Sequence, residues 1–418
     1  MKVTLMAFGS RGDIQPFVAL ATALQARGHQ VMVAAPSDFD ALFAAHGIPA
    51  TTIPLNSRAI LEKYAASRRN WGRIGFIRFL IREVLPEMRR VFHTAAGALH
   101  DAAQGADLII AHGFLVPYAY SIHQHLGIPL ILGIAAPLVK TSAYPSPMFP
   151  PVRFGKAWIY PRSYGLLTRM VTFSMMGPMR AYRERVGLPA LRPRAAREVL
   201  NEAQVPVLMH HSRHLMPPAP DWNANARVVG QWQLPAPEGW TPPESLQAFL
   251  AQGEPPVYIG FGSMPVANPA KMSQTIGEAL RRAGLRGVLQ AGWAGLAHED
   301  EHLITIGDVP HDWLFPRVAA AVHHGGSGTT HSVLSAGKPA LIVPFNADQP
   351  MWARRLVELG VGVPPIRPGR LTPENLAEAL RTLTQDQPMR QRAEELGALL
   401  REEDGLTTAC DFAEQYAK

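Results

Sequence analysis

The chain has 418 residues, 47% of them hydrophobic and 17% charged, with a formal net charge of +7 and a pI near 9.7. This composition excludes a disordered or fibrous chain, and the length suits two domains, each with its own core. One cysteine, Cys410, leaves no disulfide within the chain and no thiolate metal site, and no apolar run reaches the length of a membrane-spanning helix.

The N-terminal residues Met1–Phe8 are apolar for too short a run to be a signal peptide before Gly9-Ser10-Arg11-Gly12-Asp13 interrupts them. A reducing cytoplasm is the expected location, with any membrane contact peripheral, at the inner face. The positive charge is diffuse and no nucleic-acid motif accompanies it, so nucleic acid is not an expected partner.

In chain order, Val3–Phe8 reads as a strand and Ile14–Arg27 as an amphipathic helix, with Pro16 near its first turn. Strand Gln30–Ala35, helix Phe39–His46 and strand Thr51–Leu55 follow. Helical patterns cover 59–67 and 74–100; strand Leu108–His112, helix Tyr118–Leu126 and strand Pro129–Ile134 continue the rhythm. Such alternation predicts a parallel, doubly wound sheet. Residues 136–173 break it with prolines and aromatics around Thr141-Ser142-Ala143-Tyr144-Pro145, the composition of a binding loop. After strand Pro206–His211, the proline-rich run from Met216 to Pro237 marks a domain boundary.

The second half repeats the pattern: strand Val257–Gly262, a helix near Ala270–Ala283, strands Gly287–Gly292 and Leu303–Ile306, then Asp308-Val309-Pro310-His311. Strand Ala319–His323 stops at His324-Gly325-Gly326-Ser327-Gly328-Thr329-Thr330, where a helix should begin. Strand Pro339–Phe345 ends at Asn346-Ala347-Asp348-Gln349. A strand, a glycine turn and a helix start aim backbone N–H groups and a positive dipole end at one point. That point suits an anion such as a diphosphate, with Ser327, Thr329, Thr330 and His324 as further donors.

Other patterns have plainer readings. By spacing alone Asp13 is a helix cap, and Gly9–Asp13 lacks the spacing of a dinucleotide fingerprint. Asp38-Phe39-Asp40 spells a metal-binding DxD, but its place before a helix is explained by capping. No histidine pair has the spacing of a metal site on one face, so no metal is expected. The arginine-rich stretch 58–92 reads as a buried helix with a charged edge, or as a membrane-surface helix or pocket wall.

The run HHGGSGTT with Pro344–Gln349 resembles the nucleotide-sugar signature of the inverting, two-domain GT-B glycosyltransferases. The similarity is greatest to the branch of sterol glucosyltransferases and antibiotic glycosyltransferases, where GSRGD-[VI]-QP also opens the first domain. The resemblance implies two facing doubly wound, Rossmann-like α/β domains with an interdomain cleft. It divides the chain into an acceptor domain (1–217), a linker (218–240), a donor domain (241–395) and a last helix (396–418) that packs back on the first domain.

It implies Asp13 as catalytic base. Ser10, Arg11, Gly12, Gly262, Ser263, Val309, His324, Gly325, Gly326, Ser327, Gly328, Thr329, Asp348 and Gln349 become donor-binding residues. Phe76, His112, Tyr144 and Phe173 become acceptor-binding. Ser332 stands where plant enzymes carry a ribose-binding glutamate, and Asp308 where they carry a base-stacking tryptophan. The implied reaction moves a hexose, glucose first, from a UDP-sugar to the hydroxyl of a hydrophobic acceptor such as a sterol, polyketide or lipid alcohol. The nucleotide sugar is a co-substrate, and no cofactor is implied. A dTDP- or UDP-deoxysugar donor, a UDP-sugar 2-epimerase and a binding protein without turnover are the competing readings.

Overall fold

A computed structural model describes residues 1–53, 55, 85–148 and 158–417. The chain divides into two compact domains, Met1–Leu234 with the chain from Asp404 onward, and Pro235–Glu403.

The first domain is built on a seven-stranded parallel sheet of order β3-β2-β1-β4-β5-β6-β7. Its strands are β1 (Lys2–Met6), β2 (Gln30–Pro36), β3 (Ala50–Ile53), β4 (Leu108–His112), β5 (Leu130–Ile134), β6 (Val207–Met209) and β7 (Ala226–Val228). β4 and β5 are buried at every residue, as expected of strands covered on both faces. The helices are α1 (Arg11–Ala26), α2 (Asp40–Ala45), α3 (Leu85–Ala103), α4 (Val116–Leu126), α5 (Tyr160–Arg185) and α6 (Pro193–Asn201). α1 buries Ile14, Phe17, Val18, Ala21 and Leu24, the stripe that a 3.6-residue period places on one face. It begins at Arg11, ahead of the expected Ile14, so Pro16 lies inside it and has no N–H to give the carbonyl of Gly12.

The expected linker is more ordered than its prolines suggested. Residues 226–228 form β7, hydrogen-bonded to β6, and Trp232 is buried against Phe17 at 5.8 Å and stacked on His210 at 4.5 Å.

The second domain holds a six-stranded parallel sheet of order β10-β9-β8-β11-β12-β13. Its strands are β8 (Val257–Gly260), β9 (Gly287–Gln290), β10 (Leu303–Ile306), β11 (Ala320–His323), β12 (Ala340–Ile342) and β13 (Gly362–Val363). The helices are α7 (Glu244–Leu250), α8 (Pro269–Ala283), α9 (His311–Leu314), α10 (Ser327–Ser335), α11 (Gln349–Glu358), α12 (Pro373–Gln385) and α13 (Gln387–Arg401). Its core includes Val257, Ile259, Leu280, Leu289, Val322, Leu341 and Leu380, each completely buried; a side chain so placed contributes roughly 1.5–3 kcal/mol.

The last helix, α14 (Gly405–Tyr416), groups with the first domain, whereas α13 stays with the second. The division therefore falls after Glu403, later than the expected residue 396. Asp404 caps α14 by accepting the N–H of Thr407 at 2.9 Å. Arg27 at the end of α1 pairs with Asp411 at 2.6 Å, and His29 with Glu414 at 2.9 Å. Gly405 comes so close to the carbonyl of Gly230 that a Cβ would lie 2.4 Å from it.

Candidate active site

In each sheet the strand order reverses beside the first strand of the domain: between β1 and β4 in the first, and between β8 and β11 in the second. Doubly wound sheets take their ligands at such switch points, beyond the carboxyl ends of the strands. Both sequence motifs lie there.

In the first domain β1 runs into Gly9–Asp13 and β4 ends at His112. Asp13 occupies the first turn of α1 and its Oδ2 accepts the backbone N–H of Ser10 at 2.7 Å and the Ser10 hydroxyl at 3.0 Å. The capping role is thus filled, by one carboxylate oxygen. The other, Oδ1, lies 3.6 Å from His112 Nε2. Asp13 is partly open to solvent, its side chain 29% exposed, while that of His112 is 7% exposed and lies behind it. His112 therefore faces Asp13 instead of lining an exposed acceptor surface. Burial pushes the imidazole of His112 below its ordinary value, against the opposing charge of Asp13. Ser10 spends its backbone and hydroxyl donors on Asp13, which removes them from the expected donor contacts; Arg11 and Gly12 complete the same turn.

Of the other expected acceptor residues, Phe76 lies outside the described residues, and Phe173 falls within α5 with its side chain outside them. Tyr144 is half-buried, 6.3 Å from the Trp222 ring and edge-on to it, with its hydroxyl meeting no partner among the described residues. Its loop is anchored by a residue that sequence reasoning passed over. Asp221 accepts the hydroxyl of Thr141 and, from Ser142, the backbone N–H at 2.7 Å and the hydroxyl at 2.8 Å. Burial pushes the Asp221 carboxyl up, but these hydrogen bonds outweigh it and hold it below the usual carboxylate value. An aspartate closing a proline run gave no local signal of this long-range contact.

In the second domain β11 ends at His323, and Gly325 turns the chain with φ +90°, a conformation open to glycine. α10 begins at Ser327, so its first N–H groups point outward from the end of the sheet. The ring of His324 packs against the loop after β8 and the helix start: a Cβ on Gly262 would lie 3.1 Å from it, and one on Gly326 2.4 Å. Burial, and next the charge of His311, lower His324 to about 4, so it is neutral at neutral pH. Gly328 and Thr329 are half-buried at the same helix start, and Ser263 is half-buried in the loop after β8.

Some hydroxyls expected to face the ligand are used internally. Thr330 donates to the carbonyl of Gly326 at 2.9 Å and Ser327 Oγ lies 3.4 Å from His331 Nδ1; Ser332, which is not among those expected donors, donates to the carbonyl of Gly328 at 3.0 Å. Val309 is buried in the loop between β10 and α9. Gln290 Nε2 donates to Asp308 at 3.5 Å, and Gln290 Oε1 accepts the hydroxyl of Tyr258 at 2.6 Å.

Gln349 departs most from expectation. It is buried, its Oε1 accepts the N–H groups of Phe345 at 2.7 Å and Asn346 at 3.1 Å, and its amide nitrogen reaches Met264 Sδ at 3.2 Å. It holds the loop together and does not point outward to a sugar. Asp348 is half-buried, and its Oδ2 accepts the indole N–H of Trp352 at 2.7 Å. Ala347 between them and Asn346 has φ +54°, an uncommon conformation for a residue with a Cβ. Asp40 of the DxD sequence accepts the hydroxyl of Thr52 at 3.1 Å. Among the described residues no group of three or more His, Cys, Asp or Glu side chains could hold a metal ion, and no helix is long and apolar enough to cross a membrane.

Two doubly wound parallel domains, one carrying a carboxylate and the other a glycine turn with a helix start, make up the GT-B fold of the glycosyltransferase superfamily. The Glycosyltransferase family 28 N-terminal domain matches residues 3–105, and the Erythromycin biosynthesis protein CIII-like C-terminal domain matches residues 294–403. A sterol 3-beta-glucosyltransferase of Arabidopsis thaliana is 33% identical over 427 residues, covering 98% of this chain and 67% of that protein. One from Cryptococcus neoformans is 32% identical over 443 residues and 98% of this chain, which spans only 27% of that longer protein. Among solved structures, the kitacinnamycin glycosyltransferase matches with a TM-score of 0.74 at 20% identity, over 100% of this chain and 99% of its own. The glycosyltransferase VinC matches at 0.69 and 20%, with the same coverage. The chain belongs to the branch of this superfamily that contains the sterol glucosyltransferases and the antibiotic glycosyltransferases.

Proposed function

We propose that the protein transfers a hexose, glucose first, from a UDP-sugar to the hydroxyl of a hydrophobic alcohol such as a sterol, with inversion at the anomeric carbon. The observation that carries this reading is the Asp13 carboxylate, partly exposed at the switch point of the first sheet and oriented from both oxygens. Identity to sterol 3-beta-glucosyltransferases over nearly the whole chain supports the acceptor class.

In the reaction the acceptor oxygen forms a bond to the anomeric carbon as the bond from that carbon to the diphosphate breaks. The hydroxyl proton passes to Asp13, and the electron pair of the broken bond leaves with the diphosphate. The growing negative charge is met by the N-terminus of α10, with His324 donating an N–H as a neutral imidazole. These groups supply the stabilisation that a metal ion gives elsewhere, so transfer is metal-independent. Asp348 binds sugar hydroxyls.

The test is UDP release from UDP-glucose, with and without a panel of hydrophobic alcohols that includes a sterol, beside a parallel set with dTDP-deoxysugars. Release that requires one alcohol class supports the reading. Release without any acceptor points to an epimerase or a hydrolase, and absence of UDP binding sinks the donor assignment.

A further inference from the structure

We propose that His112 is a positioning residue that fixes the Asp13 carboxylate for proton abstraction. The inference rests on the reading of Asp13 as the base.

The tautomer of His112 is set by the backbone. Its Nδ1 accepts the N–H of Phe114 at 3.4 Å, at the start of the short turn that follows β4. A neutral imidazole that accepts at Nδ1 carries its proton on Nε2, the atom directed at Asp13 Oδ1. The ring is held edge-on by Phe114 at 5.1 Å and by Phe17 at 5.9 Å. Burial keeps the imidazole neutral, so Nε2 offers a single N–H of fixed direction.

Asp13 is thereby gripped from two sides, Oδ2 by Ser10 and Oδ1 by His112. A carboxylate without the second contact could rotate about its Cβ–Cγ bond. The contact of 3.6 Å is longer than a hydrogen bond, and such contacts shorten when substrate excludes water. His112 cannot itself take the acceptor proton: it sits behind Asp13, and its basic nitrogen is occupied by Phe114. A substrate hydroxyl arriving from the exposed side of Asp13 then finds an oxygen lone pair already aimed at it, and misplacement of that pair by about 1 Å costs on the order of 100-fold in rate.

Two substitutions separate positioning from structure. His112→Asn keeps an acceptor near Nδ1 for the Phe114 N–H but is too short to reach Asp13. His112→Gln places an amide N–H close to where Nε2 stands. Both would be compared with wild type and Asp13→Asn, using UDP-glucose and the alcohol that gives the fastest UDP release, with thermal melts alongside. The expected result is that His112→Asn lowers kcat about 10- to 100-fold with the KM for UDP-glucose unchanged, and that His112→Gln recovers most of the rate. Wild-type kcat in a folded His112→Asn protein overturns the proposal, as do equal losses in the two variants. Asp13→Asn with near-normal transfer overturns the base assignment itself, whatever the His112 variants do.

Discussion

Gly9 and Asp13 are built to fit each other: a Cβ on Gly9 would lie 2.3 Å from Asp13 Oδ2, and the backbone there has φ +134°. The carboxylate folds back over this glycine to reach the N–H of Ser10. Gly9→Ala therefore has to displace the carboxylate as well as strain the chain, at a cost of about 1–3 kcal/mol. Transfer is expected to fall by at least an order of magnitude while UDP binding, which the proposed function assigns to the second domain, stays within about twofold. Calorimetric titration with UDP beside initial rates checks this. Parallel loss of both would show a general folding defect.

The two residues that close the loop after β12 should separate cleanly. Gln349→Ala leaves the N–H groups of Phe345 and Asn346 without their acceptor in a partly buried loop and empties a buried side-chain site, a loss of roughly 1–3 kcal/mol in all. Asp348→Ala removes one acceptor from Trp352, worth about 1 kcal/mol, together with the proposed sugar contact. The melting temperature should drop clearly in the first and little in the second, while the KM for UDP-glucose rises mainly in the second. The reverse pattern would exchange the two roles.

That exchange shows where sequence reading stops. The alternation of strands and helices, both switch-point loops and the capping place of Asp13 were legible because each is local: an apolar run, a glycine turn, a helix start. Leu108–His112 matched its strand end to end for the same reason. The direction of a side chain is not local. Gln349 looked like a sugar ligand by its place after Asp348, yet two residues of its own loop, Phe345 and Asn346, and Met264 claim its amide. His112 looked like a pocket residue, and only the pairing of β1 with β4 brings it to Asp13. Asp221 lay in a stretch read as a linker, because a proline run hides the long-range partners Thr141 and Ser142.

The second domain should lose stability in mild acid. His331 is buried with its Nδ1 on the carbonyl of Ser327 at 2.7 Å, and burial lowers it to about 4; burial also drives His323 well below its ordinary value. In the unfolded chain both titrate near 6.5. Between those limits the unfolded chain binds protons that the folded chain refuses, so stability falls as pH drops through 6.5 toward 4, by roughly 1.4 kcal/mol per pH unit for each histidine fully inside the window. Above pH 7 this contribution is complete and flat. His331→Asn, which keeps a donor for Ser327, should reduce the slope of melting temperature against pH between 6.5 and 4.5. An unchanged slope would move the acid sensitivity to other groups.

Chelation tests the electrostatics of the leaving group. If the α10 N-terminus and His324 carry the charge that develops on the diphosphate, their contribution does not depend on added cation. UDP release from UDP-glucose in excess EDTA should stay within about twofold of the untreated rate, whereas His324→Ala should weaken UDP binding by about 1–3 kcal/mol, roughly 5- to 150-fold. A rate that collapses in EDTA and returns with magnesium would assign the charge to a metal. His324 would then be a packing residue between Gly262 and Gly326.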